Sequence, residues 1–111
     1  MGKVEQYRQY VQEVLARFGD HKPAYGDVKV EMIFDTQRDH YQIVHVGWNK
    51  KQRVYGVVIH LDIEEEKVWI QWNGTEVDLA SELMAMGVAK QDIVLGFHSS
   101  FMRKFTEFAP G

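Results

Sequence analysis

The chain has 111 residues and a mass of 13.0 kDa, the size of one domain, and 45% of its residues are apolar, enough to build a real core. It contains no cysteine, which excludes disulfides, thiolate metal sites and cysteine nucleophiles. Its net charge of −3 and pI of about 5.9 argue against a dedicated DNA-binding domain, which usually carries a basic stripe or a pI above ~9.

No stretch approaches the ~18 apolar residues of a membrane span, and the opening MGKVEQYRQY lacks the apolar core of a signal peptide. Gln6 stands where myristoylation requires Ser or Thr. The expectation is a cytoplasmic protein without a membrane segment.

Val4, Tyr7, Val11, Val14, Leu15 and Phe18 recur at spacings of three and four, which predicts an amphipathic helix over residues 3–18. Gly19 is its expected C-cap, and Pro23 opposes continuation. From Val28 the period changes to two. Val28, Val30, Met32 and Phe34 alternate with Lys29, Glu31, Ile33 and Asp35, and a polar turn follows at Thr36–Asp39. Further strands are expected over Tyr41–Trp48, Arg53–Ile63 and Lys67–Trp72, with turns at Asn49–Gln52 and Glu64–Glu65. Asn73-Gly74 closes this region with a dipeptide that readily takes positive φ.

Apolarity suggests a register. Placing Val44, Val46 and Trp48 across from Tyr55, Val57 and Ile59, with Leu61, Ile63, Val68, Ile70 and Trp72 continuing the row, makes one face wholly apolar. That face is expected to be the core. The opposite face would then carry Tyr41, Ile43, His45, Gly56, Val58, His60, Asp62, Trp69 and Gln71, a mixture too apolar for a freely solvated surface. Tyr41, Ile43, Val58, His60 and Trp69 are therefore the candidate oligomer face, most simply that of a homodimer.

Residues 75–86 predict a second helix, with Thr75 or Asp78 as N-cap and Val77, Ala80, Leu83 and Met84 as its apolar stripe. Gly87 followed by Val88 has the form of a Schellman ending. Residues 92–97 suit a short strand. In the tail, Phe101, Phe105 and Phe108 flank Arg103 and Lys104; aromatics interleaved with arginine suit a partner-binding anchor, and the alternative is that these phenylalanines pack back on the same domain. The fold class is α+β: one domain over residues 1–111, with an N-terminal helix, a four-stranded antiparallel sheet, a second helix and a short C-terminal strand.

The residues do not assemble a catalytic set. His45, His60 and Asp62 offer acceptable metal donors, but the register above holds the two imidazoles several residues apart, so ordinary hydrogen-bonded histidines are expected and no metal. Glu31, Asp35 and Asp39 flank a turn, where charges are usually solvated rather than gathered on Mg²⁺. Ser99-Ser100 after His98 lacks a nucleophile elbow, and the scattered glycines make no phosphate loop. No cofactor is expected.

Four strings taken together resemble the XisI-type fdxN-element excision controlling factors of filamentous cyanobacteria: YGDVKVEMIFDTQRDHYQIVHVGW (25–48), RVYGVVIHLDI (53–63), VWIQWNGTEVDLASELMAMGV (68–88) and DIVLGFHSSFMRKFTEFA (92–109). With the opening helix the resemblance spans nearly the whole chain. Ala89 and Ser100 stand where the family pattern suggests proline. The resemblance implies a non-enzymatic accessory or regulatory protein for DNA-element excision, as in heterocyst-type DNA rearrangement. It also implies a second small protein of XisH type, nuclease-like, as partner, with DNA reached only through partners. The competing readings are a metal-dependent nuclease subunit using Glu31, Asp35 or His60, and a direct DNA-binding module.

Overall fold

The computed structural model describes residues 2–20, 23 and 26–111. Helix α1 spans Lys3–Gly19, one residue beyond the expected end, and closes on Asp20 in αR geometry. Strands β1 (Asp27–Asp35), β2 (His40–Asn49), β3 (Gln52–Glu64) and β4 (Lys67–Asn73) follow, then helix α2 (Leu79–Met86), a 3₁₀ turn (Lys90–Asp92), strand β5 (Ile93–Leu95) and a single-turn helix α3 (Ser100–Arg103). The sheet runs in sequence order, β1-β2-β3-β4-β5. Its first four strands pair antiparallel, and β5 adds parallel to β4 after the α2 crossover.

Helices α1 and α2 cover one face of the sheet. Tyr7, Val11, Val14 and Leu15 of α1 and Leu79, Ala80 and Leu83 of α2 are buried against Tyr41, Ile43, Ile59, Leu61, Ile63, Val68, Ile70 and Ile93. The predicted stripe of α1 is thus the one that packs, with Val4 and Phe18 partly buried at its ends. Tyr7 also ties α1 to the far edge of the sheet. Its hydroxyl donates to Asp92 Oδ2 at 2.6 Å and accepts from the Ala89 N–H at 3.3 Å.

Local chemistry sets the ends of α2. Asp78 caps it by accepting from the Ser81 N–H at 3.1 Å, whereas Thr75 belongs to a preceding turn held by Asn73 Oδ1. At the other end Gly87 takes φ 123°, and the Val88 N–H reaches back to the Leu83 carbonyl at 3.0 Å, the ending expected from the sequence. Glu65 and Glu66 both adopt positive φ (52° and 63°), as a tight two-residue hairpin loop demands.

The expected register holds only over part of the β2–β3 ladder. Val44 opposes Val57, His45 opposes Gly56 and Val46 opposes Tyr55, but the ladder then shifts, so that Ile43 meets Ile59, Gln42 meets His60 and Tyr41 meets Leu61. Val58 is the extra residue. A second shift lies between His60 and Leu61, where Gln71 is the extra residue of β4. Each bulge reverses the alternation along its strand. Tyr41 and Ile43 consequently enter the core (0% and 1% exposed), and Val58 is partly buried against it. The oligomer face expected at Tyr41, Ile43 and Val58 is not a surface. Of the apolar row expected inside, Trp48, Tyr55 and Val57 are exposed on the outer face, whereas Val44 is buried and Val46 half-buried.

Candidate interaction surface

The outer face, opposite the helices, has two parts. At the β2–β3 hairpin end it is apolar and aromatic: Trp48, Tyr55 and Val57 are exposed, and Trp72 joins them from β4. The Arg53 guanidinium lies 5.3 Å from the Trp48 ring centroid and 5.9 Å from that of Tyr55, bridging the two. Tyr55 is 73% exposed, an orientation that leaves a large ring in water unless something covers it. The bulge at Val58 releases Tyr55 and Val57 from the core-facing row of β3, and that at Gln71 does the same for Trp72 on β4, while Trp48 follows the regular alternation of β2.

The second part is polar and compact. Asp62 stands directly across from His40 in the ladder, and His60 lies two residues from Asp62 on the same strand face. His40 Nδ1 and His60 Nε2 each lie 2.8 Å from the same oxygen, Asp62 Oδ1. Gln71 Nε2 donates to Asp62 Oδ2 at 3.1 Å, and Gln42 Nε2 sits 3.3 Å from His60 Nδ1. Burial pushes the Asp62 carboxyl up, but the hydrogen bonds from His40, His60 and Gln71 outweigh it and hold the group below its ordinary value. The same carboxylate holds the His40 imidazole above its ordinary value.

Sequence reasoning grouped the wrong histidine here. His45 shares the helix-side face with Ile43, while His60 faces outward. His40 falls outside that grouping because it borders the polar turn at the very start of β2, and only cross-strand pairing brings it to Asp62. A histidine at the mouth of a hairpin facing an H-x-D strand segment was the available cue.

Trp69 is outward-facing but covered. The tail folds back so that Ala109 bridges Val94 and its N–H donates to the Ile93 carbonyl at 2.9 Å. Arg103 stacks 5.1 Å from the Trp69 ring, donates from Nε to the His98 carbonyl at 3.1 Å and from Nη1 to the Pro110 carbonyl at 3.0 Å. Trp69 Nε1 is buried without a hydrogen-bond acceptor among the described residues. Arg103 therefore braces the tail internally rather than standing ready for a partner's carboxylate. Phe101 and Phe105 do remain exposed, at 62% and 72%, in edge-to-face contact with centroids 5.4 Å apart, and Lys104 is exposed beside them. Phe108 instead packs against the core.

A sheet closed by helices on one side and aromatic on the other, with a second aromatic pair on an ordered tail, has the surface of a small α+β interaction protein. A family model described as XisI protein matches residues 1–110. The chain belongs to the XisI family. Two solved structures carry the same fold along essentially their whole length. A XisI-like protein from Anabaena variabilis ATCC 29413 is 39% identical, with 96% of this chain and 97% of that chain covered and a TM-score of 0.90. The fdxN element excision controlling factor XisI from the same organism is 33% identical, with 99% and 100% covered and a TM-score of 0.87. No curated protein matches the chain significantly. No described helix is long and apolar enough to cross a membrane.

Proposed function

We propose that this protein is a non-enzymatic regulatory factor in the excision of a DNA element, and that it acts by binding an XisH-type, nuclease-like protein. The observation that carries the reading is the exposure of large aromatic side chains on ordered elements: Trp48, Tyr55 and Trp72 on the sheet, Phe101 and Phe105 on the tail. Rings so placed gain most when a protein surface covers them. A relative named as an excision controlling factor supports the biological setting. The net charge of −3 supports contact with DNA through partners rather than directly.

In this reading the two surfaces have separate tasks. The aromatic part of the outer sheet face, around Trp48, Tyr55 and Trp72, pairs two copies about a two-fold axis, and the Phe101–Phe105 pair contacts the XisH-type partner. Co-expression with that partner followed by affinity capture tests it. The expected result is co-purification of both proteins and no DNA cleavage by this chain alone. Failure to co-purify, or cutting or tight binding of DNA by this chain by itself, overturns it.

A further inference from the structure

His40, His60 and Asp62 converge on one point of the outer face, and the docking role above makes no use of them. We propose that these three side chains bind a zinc ion through His40 Nδ1, His60 Nε2 and a carboxylate oxygen of Asp62. Their ligand atoms all lie within 4.8 Å of one another. A tetrahedral zinc with bonds of about 2.0–2.2 Å holds neighbouring ligand atoms roughly 3.3 Å apart. The nitrogens now stand 2.8 Å from Asp62 Oδ1, so an opening of about half an ångström admits the ion.

The backbone supplies the geometry. An i, i+2 pair on β3 projects two ligands from one face, and the directly opposed residue of β2 supplies the third. Two imidazoles and one carboxylate form a donor set suited to a late first-row divalent ion, and the carboxylate neutralises part of its charge. The surrounding contacts have the form of an outer shell. Gln71 engages Asp62 Oδ2, which leaves Oδ1 for the ion. With Nε2 on zinc, His60 Nδ1 carries the proton, and the Gln42 amide 3.3 Å away turns its carbonyl to accept it. Asp62 and His60 are largely shielded while His40 is 55% exposed, so the fourth coordination position opens to solvent beside His40. Such a site holds three protein ligands and admits one more from water or from a docked protein.

Protein stripped with EDTA and dialysed is titrated with ZnCl₂ by calorimetry and with CoCl₂ by visible spectroscopy. The expected result is one ion per chain, with the visible bands of four-coordinate cobalt. Asp62→Asn and His40→Ala should lose the stoichiometric step, His45→Ala should keep it, and Gln71→Ala should weaken it about tenfold. Because the His40 side chain is exposed, His40→Ala reports the loss in a fold that circular dichroism verifies as intact. Absence of saturable zinc binding by the parent protein overturns the proposal. So does parental affinity in folded His40→Ala.

Discussion

Arg8 of α1 grips Asp39 of the β1–β2 turn with two parallel contacts, Nε to Oδ1 at 2.7 Å and Nη2 to Oδ2 at 3.1 Å. Asp39 adopts φ 61°, accepts a third hydrogen bond from the Tyr41 hydroxyl at 2.9 Å, and its carbonyl receives the Ile63 N–H at 3.1 Å. One turn residue thus fastens the helix to β3, the central strand of the sheet. Its charged neighbours are Arg8 and His40, with the Tyr41 phenol beside them.

The Arg8 guanidinium holds the Asp39 carboxyl below its ordinary value, with the Tyr41 hydrogen bond adding to it against the opposing effect of burial. A carboxylate depressed in the folded state contributes stability that is fully present above its unfolded pKa and is lost as pH falls through the folded one. Urea midpoints should therefore fall between pH 5 and pH 2 more steeply for wild type than for Asp39→Asn. Parallel pH profiles in the two proteins would count against the linkage.

Tyr41 and Ile43 are core residues, so shortening them should destabilise the monomer. Tyr41→Phe removes one hydrogen bond and should cost about 1 kcal/mol. Ile43→Ala leaves a cavity and should cost about 2–5 kcal/mol. Trp48→Ser, on the bare face, should change stability by about 0.5 kcal/mol or less. Chemical denaturation of the three variants separates core from surface directly.

Self-association should depend on that same bare face. Light scattering at tens of micromolar should return twice the 13.0 kDa chain mass for wild type and move towards one chain for a Trp48→Ser, Tyr55→Ser double variant. A wild-type protein that stays at 13.0 kDa would rule out the dimer.

The tail separates anchoring from bracing. Phe105→Ala should weaken capture of the XisH-type partner by about 2 kcal/mol while leaving the melting temperature nearly unchanged. Arg103→Glu breaks two carbonyl contacts and the stacking on Trp69, so it should lower the melting temperature even without a partner. Equal melting temperatures for Arg103→Glu and wild type would show that the brace contributes nothing.

Capping offers a local check. Asp78→Ala removes the acceptor for the Ser81 N–H and should cost about 1 kcal/mol, whereas Thr75→Ala leaves the start of α2 unchanged. Equal losses in thermal melts of the two variants would contradict the assignment of the cap.

Much of this molecule is legible without coordinates. The α1 stripe, the four strands and their order, and the Gly87 ending follow from period and φ preference, because these properties depend on near neighbours in the chain. The resemblance to the XisI family is likewise carried by linear strings.

Which face of the sheet is buried was decided only by the tertiary structure. Both alternating sets of β2 are apolar, Tyr41 and Ile43 on one side, Val44 and Val46 on the other, so apolarity could not choose between them. The choice falls to bulges at Val58 and Gln71, whose positions depend on what each strand pairs with across the ladder. The same cross-strand pairing gathers His40 with His60 and Asp62, and the folded-back tail turns Arg103 inward. Period is a property of the segment, whereas inversion of a face and convergence of side chains are properties of the pairing.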